Sequence, residues 1–255
     1  MMLRTSFAGA TDAGRRRPDN EDAFLLLDDA LLFAVADGVG GHAGGEVASG
    51  IAVETVREIV PAMLGMNDRT PPAAAGAGAD REPAALRYAV ALANRRVLEA
   101  VQHRPELAGM ATTLTALLFS QARVHLAHLG DSRAYRLRSG TLRQLSEDHS
   151  LVAVQVKAGV LTPGQARTSV HRHVITRALG MAEDVGPDLQ ALEVRAGDVY
   201  LLCTDGLTEM VEDREIGKLL ASTEPETAVR KLISAANGAG GVDNITAVVV
   251  KVLEV

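Results

Sequence analysis

Acidic side chains punctuate this chain at the ends of its apolar runs. Asp37 follows LLFAVA, Asp131 follows VHLAHLG, Asp205 follows VYLLCT, Asp243 immediately precedes NITAVVVKV, and Glu21 with Asp22 opens the run AFLLLD. Apolar runs a few residues long, bounded by Gly and Asp, read as buried strands. Strand ends are fixed points in a fold. If these ends meet at one edge of a sheet, several carboxylates share a small volume, and their repulsion calls for protons or hard cations. The pattern therefore predicts a site holding more than one metal ion.

At 255 residues and 47% hydrophobic, the chain has enough apolar material for one large core, and a single catalytic domain over 1–255 is the simplest organisation. A net charge of −6 argues against a nucleic-acid partner while leaving room for a local basic patch. The lone cysteine, Cys203, excludes an internal disulfide and a cysteine-rich zinc site, and its place in YLLCTD reads as a small buried hydrophobe. The N-terminal MMLRTSFAGATDAGRRRP lacks the apolar core of a signal peptide, and no stretch is long and apolar enough to span a bilayer. A cytoplasmic monomer is expected.

Apolar positions Val47, Ile51, Val53, Val56, Ile59 and Val60 recur at helical spacing, predicting a long helix that ends near Pro61. The Pro, Ala and Gly-rich segment of about 66–81 reads as a flexible loop, and REPAALRYAVALANRRVLEAVQH as a second helix with Pro83 in its first turn. From Ala111 to Leu145 the pattern turns β-rich, with Ser139-Gly140 as a hairpin turn. A polar insertion of about 146–175 follows, then two strands, the helices DREIGKLL and EPETAVRKLISAAN, and a last strand NITAVVVKVLE. Strands and helices thus come in blocks rather than in strict alternation. That predicts an α+β fold, with antiparallel sheets covered by helices.

Carboxylates, carbonyls and water are hard ligands, so the acidic set suits Mg2+ or Mn2+ better than zinc or copper. A glycine beside an aspartate lets the backbone approach a cation, and Gly38 has a carbonyl to offer. Any one Asp-Gly is as readily a plain turn, but four such junctions at strand ends weaken that reading. In RRRPDNED, Arg17 precedes Glu21 by four residues, and its planar guanidinium can grip two oxygens of a phosphate monoester. Arg15 and Arg16 read as a solvated turn.

In order along the chain stand RRPDNED around Arg17 to Asp22, ADGVGGHAGGE (36–46), GDSR (130–133), EDHSLV (147–152), ITRALG (175–180), CTDGL (203–207) and DNIT (243–246). This ordered set resembles the bacterial metal-dependent serine/threonine protein phosphatases of the protein phosphatase 2C-like, or PPM, family, and the resemblance spans nearly the whole chain. It implies a four-layer αββα arrangement, a central antiparallel β-sandwich flanked by helices, with a centre of two Mg2+ or Mn2+ ions and room for a third. It further implies that Asp37 bridges the ions, that Gly38 ligates through its carbonyl, and that Asp205 and Asp243 complete one ion's shell. Asp22, and Glu21 through water, hold the other ion, and Asp131 with Asp205 a third. Arg17 matches the phosphate-binding arginine, Asn244 supports Asp243, and the insertion of about 146–175 matches the family's flap.

The activity so implied is hydrolysis of phosphoserine and phosphothreonine in proteins by a hydroxide held between the metals, opposing Ser/Thr kinases of the same cell. Val39 stands where eukaryotic members of the family carry a histidine; His42, three residues on, is a candidate general acid, a group supporting the metal ligands or a plain loop histidine, and a metal-bound water could supply the proton instead. His149, His171 and His173 read as flap surface or packing residues. Two other readings stay open: a catalytically weak phospho-dependent regulator, and a stress-type phosphatase acting on an anti-sigma antagonist.

Overall fold

A computed structural model describes residues 3–40, 44–66, 81–221 and 224–255. The chain opens with β1 (Arg4–Asp12), β2 (Asp22–Leu27) and β3 (Leu32–Val39), then α1 (Gly44–Met63) and α2 (Arg81–His103). A β-rich block follows: β4 (Ala111–Thr112), β5 (Leu114–Ser120), β6 (Arg123–Leu129), β7 (Arg133–Arg138) and β8 (Thr141–Gln144). After α3 (Leu151–Lys157) and α4 (Pro163–Thr168) come β9 (Asp188–Glu193), β10 (Val199–Cys203), α5 (Asp205–Thr208), α6 (Asp213–Ala221), α7 (Pro225–Gly238) and β11 (Ile245–Glu254).

The strands form two antiparallel sheets, ordered β1-β11-β10-β7-β8 and β2-β3-β5-β6-β9, with β4 paired to β3. Side-chain parity explains why they stack. Along β3, Phe33 and Val35 point to one side and Leu32, Ala34 and Ala36 to the other; along β11, Val248, Val250 and Val252 oppose Ala247 and Val249. The first set on each strand meets across the sandwich. The second set packs under helices, α1 and α2 on one sheet and α6 and α7 on the other. Both faces of each central strand are therefore buried, which is why these strands read as unbroken apolar runs. The α+β, four-layer arrangement expected from the sequence is the one observed.

All four phenylalanines of the chain lie in the layer between the sheets. Phe7, Phe33, Phe119 and Tyr200 form a continuous ladder with centroid separations of 5.0, 5.9 and 5.2 Å and tilted or edge-on planes, the arrangement that ring quadrupoles favour. On the helix side the strands carry Ala34, Ala36, Ala116 and Ala127, whose small side chains let α1 and α2 settle close to the sheet.

Several local details depart from the sequence reading. Helix α1 does end near Pro61, at Met63, whereas other details differ; a proline this close to the end forfeits only its own donor while its carbonyl still accepts from Met66. The strand β1 was not marked by an apolar run, and β3 runs through Asp37 to Val39 instead of stopping at the carboxylate. The hairpin at Ser139-Gly140 matches expectation, with both residues at positive φ, 49° and 79°. Two short helices, α3 and α4, make up the flap. The second begins with a capping box in which Thr162 and Gln165 satisfy each other's backbone donors and Pro163 takes the first helical position. The loop of about 66–81 lies almost wholly outside the described residues.

Replacing Phe33 by Ala removes the ring at the centre of the ladder and is expected to cost about 3–5 kcal/mol, read as a lower urea midpoint. His128 on β6 supplies a second test. Its ring is buried between Thr115 Oγ1 and the Glu147 carbonyl, each 2.9 Å away, and burial first, then its stacked neighbour His149, lowers its pKa from 6.5 to about 4. Folding therefore favours the neutral ring. The stabilisation is complete above about pH 6.5 and is lost as pH falls towards 4, on the order of 3 kcal/mol in all. A His128→Asn variant should lose less stability than the parent between pH 7.5 and 4.5 in parallel urea titrations.

Candidate metal centre

The directions of the strands decide where the carboxylates go. β3, β6 and β10 all run towards one end of the sandwich, while β2 and β11 start there, so the loops that carry acidic residues gather at that end. Asp22 and Asp37 sit directly opposite each other across the β2–β3 pair. Asp131 follows the end of β6, Asp205 opens α5 after β10, and Asp243 precedes β11. Asp37 feels the charge of Asp22, Asp205, Asp131 and Asp243, and it faces Asp205 closely enough to share a proton.

Burial and mutual repulsion show in the acidity of the group. Burial raises Asp37, Asp131 and Asp205 above the ordinary carboxylate range, with neighbouring aspartates adding to the effect, and carries Asp22 to about 7. Glu21 is raised mainly by burial, offset by the Gly45 backbone N–H that it accepts at the start of α1. Two carboxylate oxygens of this cluster, Asp22 Oδ1 and Asp131 Oδ1, are buried without a hydrogen-bond partner among the described residues. Such atoms are costly unless something else satisfies them. An all-oxygen set with buried, unpartnered oxygens fits hard divalent cations.

Two glycines are dictated by crowding. A Cβ on Gly38 would lie 2.1 Å from the Gly45 carbonyl oxygen and 2.6 Å from that of Glu21, and one on Gly206 would lie 2.0 Å from the Asn244 carbonyl oxygen. Here the backbone segments carrying Glu21, Asp37, Asp205 and Asp243 touch directly, and no side chain fits between them.

Arg17 stands at the rim, half exposed, with Nη2 2.8 Å from Asp243 Oδ2. Asn244 ties its loop down from both sides: Nδ2 donates to the carbonyls of Ala13 and Asp19 at 3.1 and 2.9 Å, and Oδ1 accepts from the Glu21 N–H at 2.8 Å. The Asn244 side chain thus supports the loop of Arg17 and Glu21, while its backbone N–H donates to Asp243 Oδ1. His42 lies outside the described residues.

The flap covers one side of the cluster, leaving a cleft of about 800 Å3 whose walls include Asp131, Asp205 and Glu209 on the body and Val152, Val156 and Arg172 on the flap. Its roots are firm. Arg133 forks onto Asp148 at 2.6 to 3.0 Å, and Gly130, next to Asp131, donates its N–H to His149 Nδ1 while its carbonyl accepts from the His149 N–H. Its far side rests on a contact of His173 Nδ1 with Glu209 at 3.0 Å and an ion pair of Arg167 with Glu212 at 3.5 Å. His173, Asp205 and Glu209 present ligand atoms within 4.8 Å of one another. Of the flap histidines, His149 is a buried packing residue, whereas His173 contacts Glu209 on the cleft wall. Sequence reasoning passed over Glu209; the signal was its spacing of four from Asp205, one helical turn on.

Residues 12–243 match the family model described as Protein phosphatase 2C. Serine/threonine protein phosphatase PstP of Mycobacterium tuberculosis is 40% identical over 254 residues, covering 100% of this chain and 46% of PstP. The chain thus spans about half the length of that relative. Serine/threonine phosphatase stp of Listeria monocytogenes is 35% identical, over 94% of this chain and 93% of stp. The crystal structure of the PstP catalytic domain in complex with two manganese ions superposes with a TM-score of 0.85 at 38% identity, covering 99% of this chain and 100% of that one. With the family model matched over most of its length and relatives of this identity, the chain belongs to the protein phosphatase 2C family.

Proposed function

We propose that this chain is a metal-dependent protein phosphatase that hydrolyses phosphoserine and phosphothreonine, with residues 1–255 acting as one catalytic unit. The observation that carries the reading is the convergence of Asp22, Asp37, Asp131, Asp205 and Asp243 on one pocket, with buried carboxylate oxygens lacking partners. The named relatives support it, as does a related catalytic domain described with two manganese ions.

Asp37, Asp205 and Asp243 would hold one Mg2+ or Mn2+ ion, Asp37 and Asp22, with Glu21 through water, a second, and Asp131 with Asp205 a third, the Gly38 carbonyl being a further ligand. When bound, such ions acidify water and neutralise phosphoryl charge. The chain's own residues do the rest. The carboxylates fix the pocket's charge and shape before substrate arrives, so little reorganisation is left for the reaction. Arg17 uses one donor on Asp243 and keeps others for two phosphate oxygens, which orients the ester over the pocket. Substrates are phosphorylated proteins, including Ser/Thr kinases of the same cell, placing the enzyme in signalling. Among the described residues no helix is long and apolar enough to cross a membrane, and the unit works as a monomer.

Hydrolysis of a phosphothreonine peptide should require Mn2+ or Mg2+, stop with a chelator and return when metal is restored. A phospho-dependent binding protein would instead hold the peptide without turnover. Asp37→Asn should lower kcat by more than the roughly 10²–10³-fold that loss of a single transition-state donor costs. The same variant relieves buried repulsion, so in metal-free buffer at pH 7.5 it should melt higher than the parent, by about 2–4 °C for each kcal/mol gained. Arg17→Ala should weaken phosphate engagement; unchanged KM and kcat would remove Arg17 from the site.

A further inference from the structure

We propose that the buried hydroxyls of Thr204 and Thr246 are positioning residues that lock Asp22 with one carboxylate oxygen presented to a divalent cation. The inference rests on the metal-dependent reading of the site given above and assigns it a supporting layer.

Asp22 belongs to β2 of one sheet, whereas Thr204 follows β10 and Thr246 lies in β11 of the other. Both threonines are fully buried, and both hydroxyls donate to the same atom, Asp22 Oδ2, at 2.8 and 2.6 Å. The other oxygen, Oδ1, is buried with no partner among the described residues. The asymmetry is directional. Turning the carboxylate about its Cβ–Cγ bond would break both short, charge-assisted bonds, so Oδ1 is held where the hydroxyls leave it.

The donors behind these hydroxyls keep the direction fixed. The Thr246 N–H donates to Thr204 Oγ1 at 2.9 Å, which leaves the Thr204 proton for Asp22. Thr246 Oγ1 lies 2.7 Å from Thr11 Oγ1 and 2.6 Å from Asp22 Oδ2, and its single proton cannot serve both. The carboxylate is the stronger acceptor, so the Thr11 hydroxyl donates in turn, and Thr11 itself accepts from Asn20 Nδ2 at 2.8 Å. Two one-way chains of donors thus end on a single carboxylate oxygen. Their direction suits an ionised Asp22 whose remaining lone pairs face the pocket. Both hydroxyl-to-carboxylate bonds join the two sheets at the site.

Manganese titration calorimetry on the whole chain tests this, using Thr204→Val and Thr246→Val, which keep side-chain shape, beside the serine variants, which keep the hydroxyl. The valine variants should bind Mn2+ about 10–100-fold more weakly, the range for outer-shell partners of metal ligands, and the serine variants should stay near the parent. In steady-state assays the loss should lie in the manganese concentration required rather than in kcat. Valine variants that bind as tightly as the parent, or serine variants as weak as valine, would overturn the proposal. Metal-free circular dichroism reports folding; if the valine variants do not fold, Thr204→Ala and Thr246→Ala remove the same hydroxyls without adding a branched methyl, and unchanged affinity there overturns the proposal equally. Asp22→Asn separates the two levels. If it binds manganese as tightly as the parent, the metal assignment of Asp22 has failed; if it loses affinity while the valine variants do not, only the hydroxyl clamp has failed.

Discussion

Like charges held together in a buried pocket govern this structure. Asp22, Asp37, Asp131 and Asp205 are all pushed towards the protonated form by burial and by one another, and only the rest of the fold keeps them side by side. The three apolar layers of the sandwich provide that force, since each layer buries side chains that would otherwise meet water. Contact of backbone with backbone at Gly38 and Gly206 then sets the spacing. Stability invested in the sheets is in this sense stored as a preformed site for positive charge.

Much of this was legible because the strands are buried on both faces. A strand covered on two sides is apolar throughout, so its end is sharp in the sequence, and the acidic residue just past it stands out. The block order of strands and helices carried the layer arrangement for the same reason. β1 escaped notice because RTSFAGATD is an edge strand of small and polar residues with little apolar signal. Pro61 marked the end of α1 closely, since a proline is tolerated near a helix terminus, where it costs a single bond.

The supporting layer of the site was the least readable. Thr204 and Thr246 look like ordinary β-formers in sequence, and their direction towards Asp22 exists only once two sheets are stacked. The reach of Asn244 to Ala13, Asp19 and Glu21 joins residues more than 220 positions apart, which no local pattern records. The same holds for His173, whose contact with Glu209 follows from how the flap lies on the body and not from its own neighbours in the chain.

The rooting of the flap has a consequence for diversification. Arg133 with Asp148, and Gly130 with His149, fasten the base of the insertion beside Asp131 through partly buried and buried contacts respectively. The distal stretch from α3 to α4 meets the body largely through solvent-facing ion pairs such as Arg167 with Glu212, which contribute little to stability. Mutational drift at the tip can therefore alter what the cleft admits while the hydrolytic apparatus keeps its shape, so that selectivity and chemistry are free to evolve at separate rates.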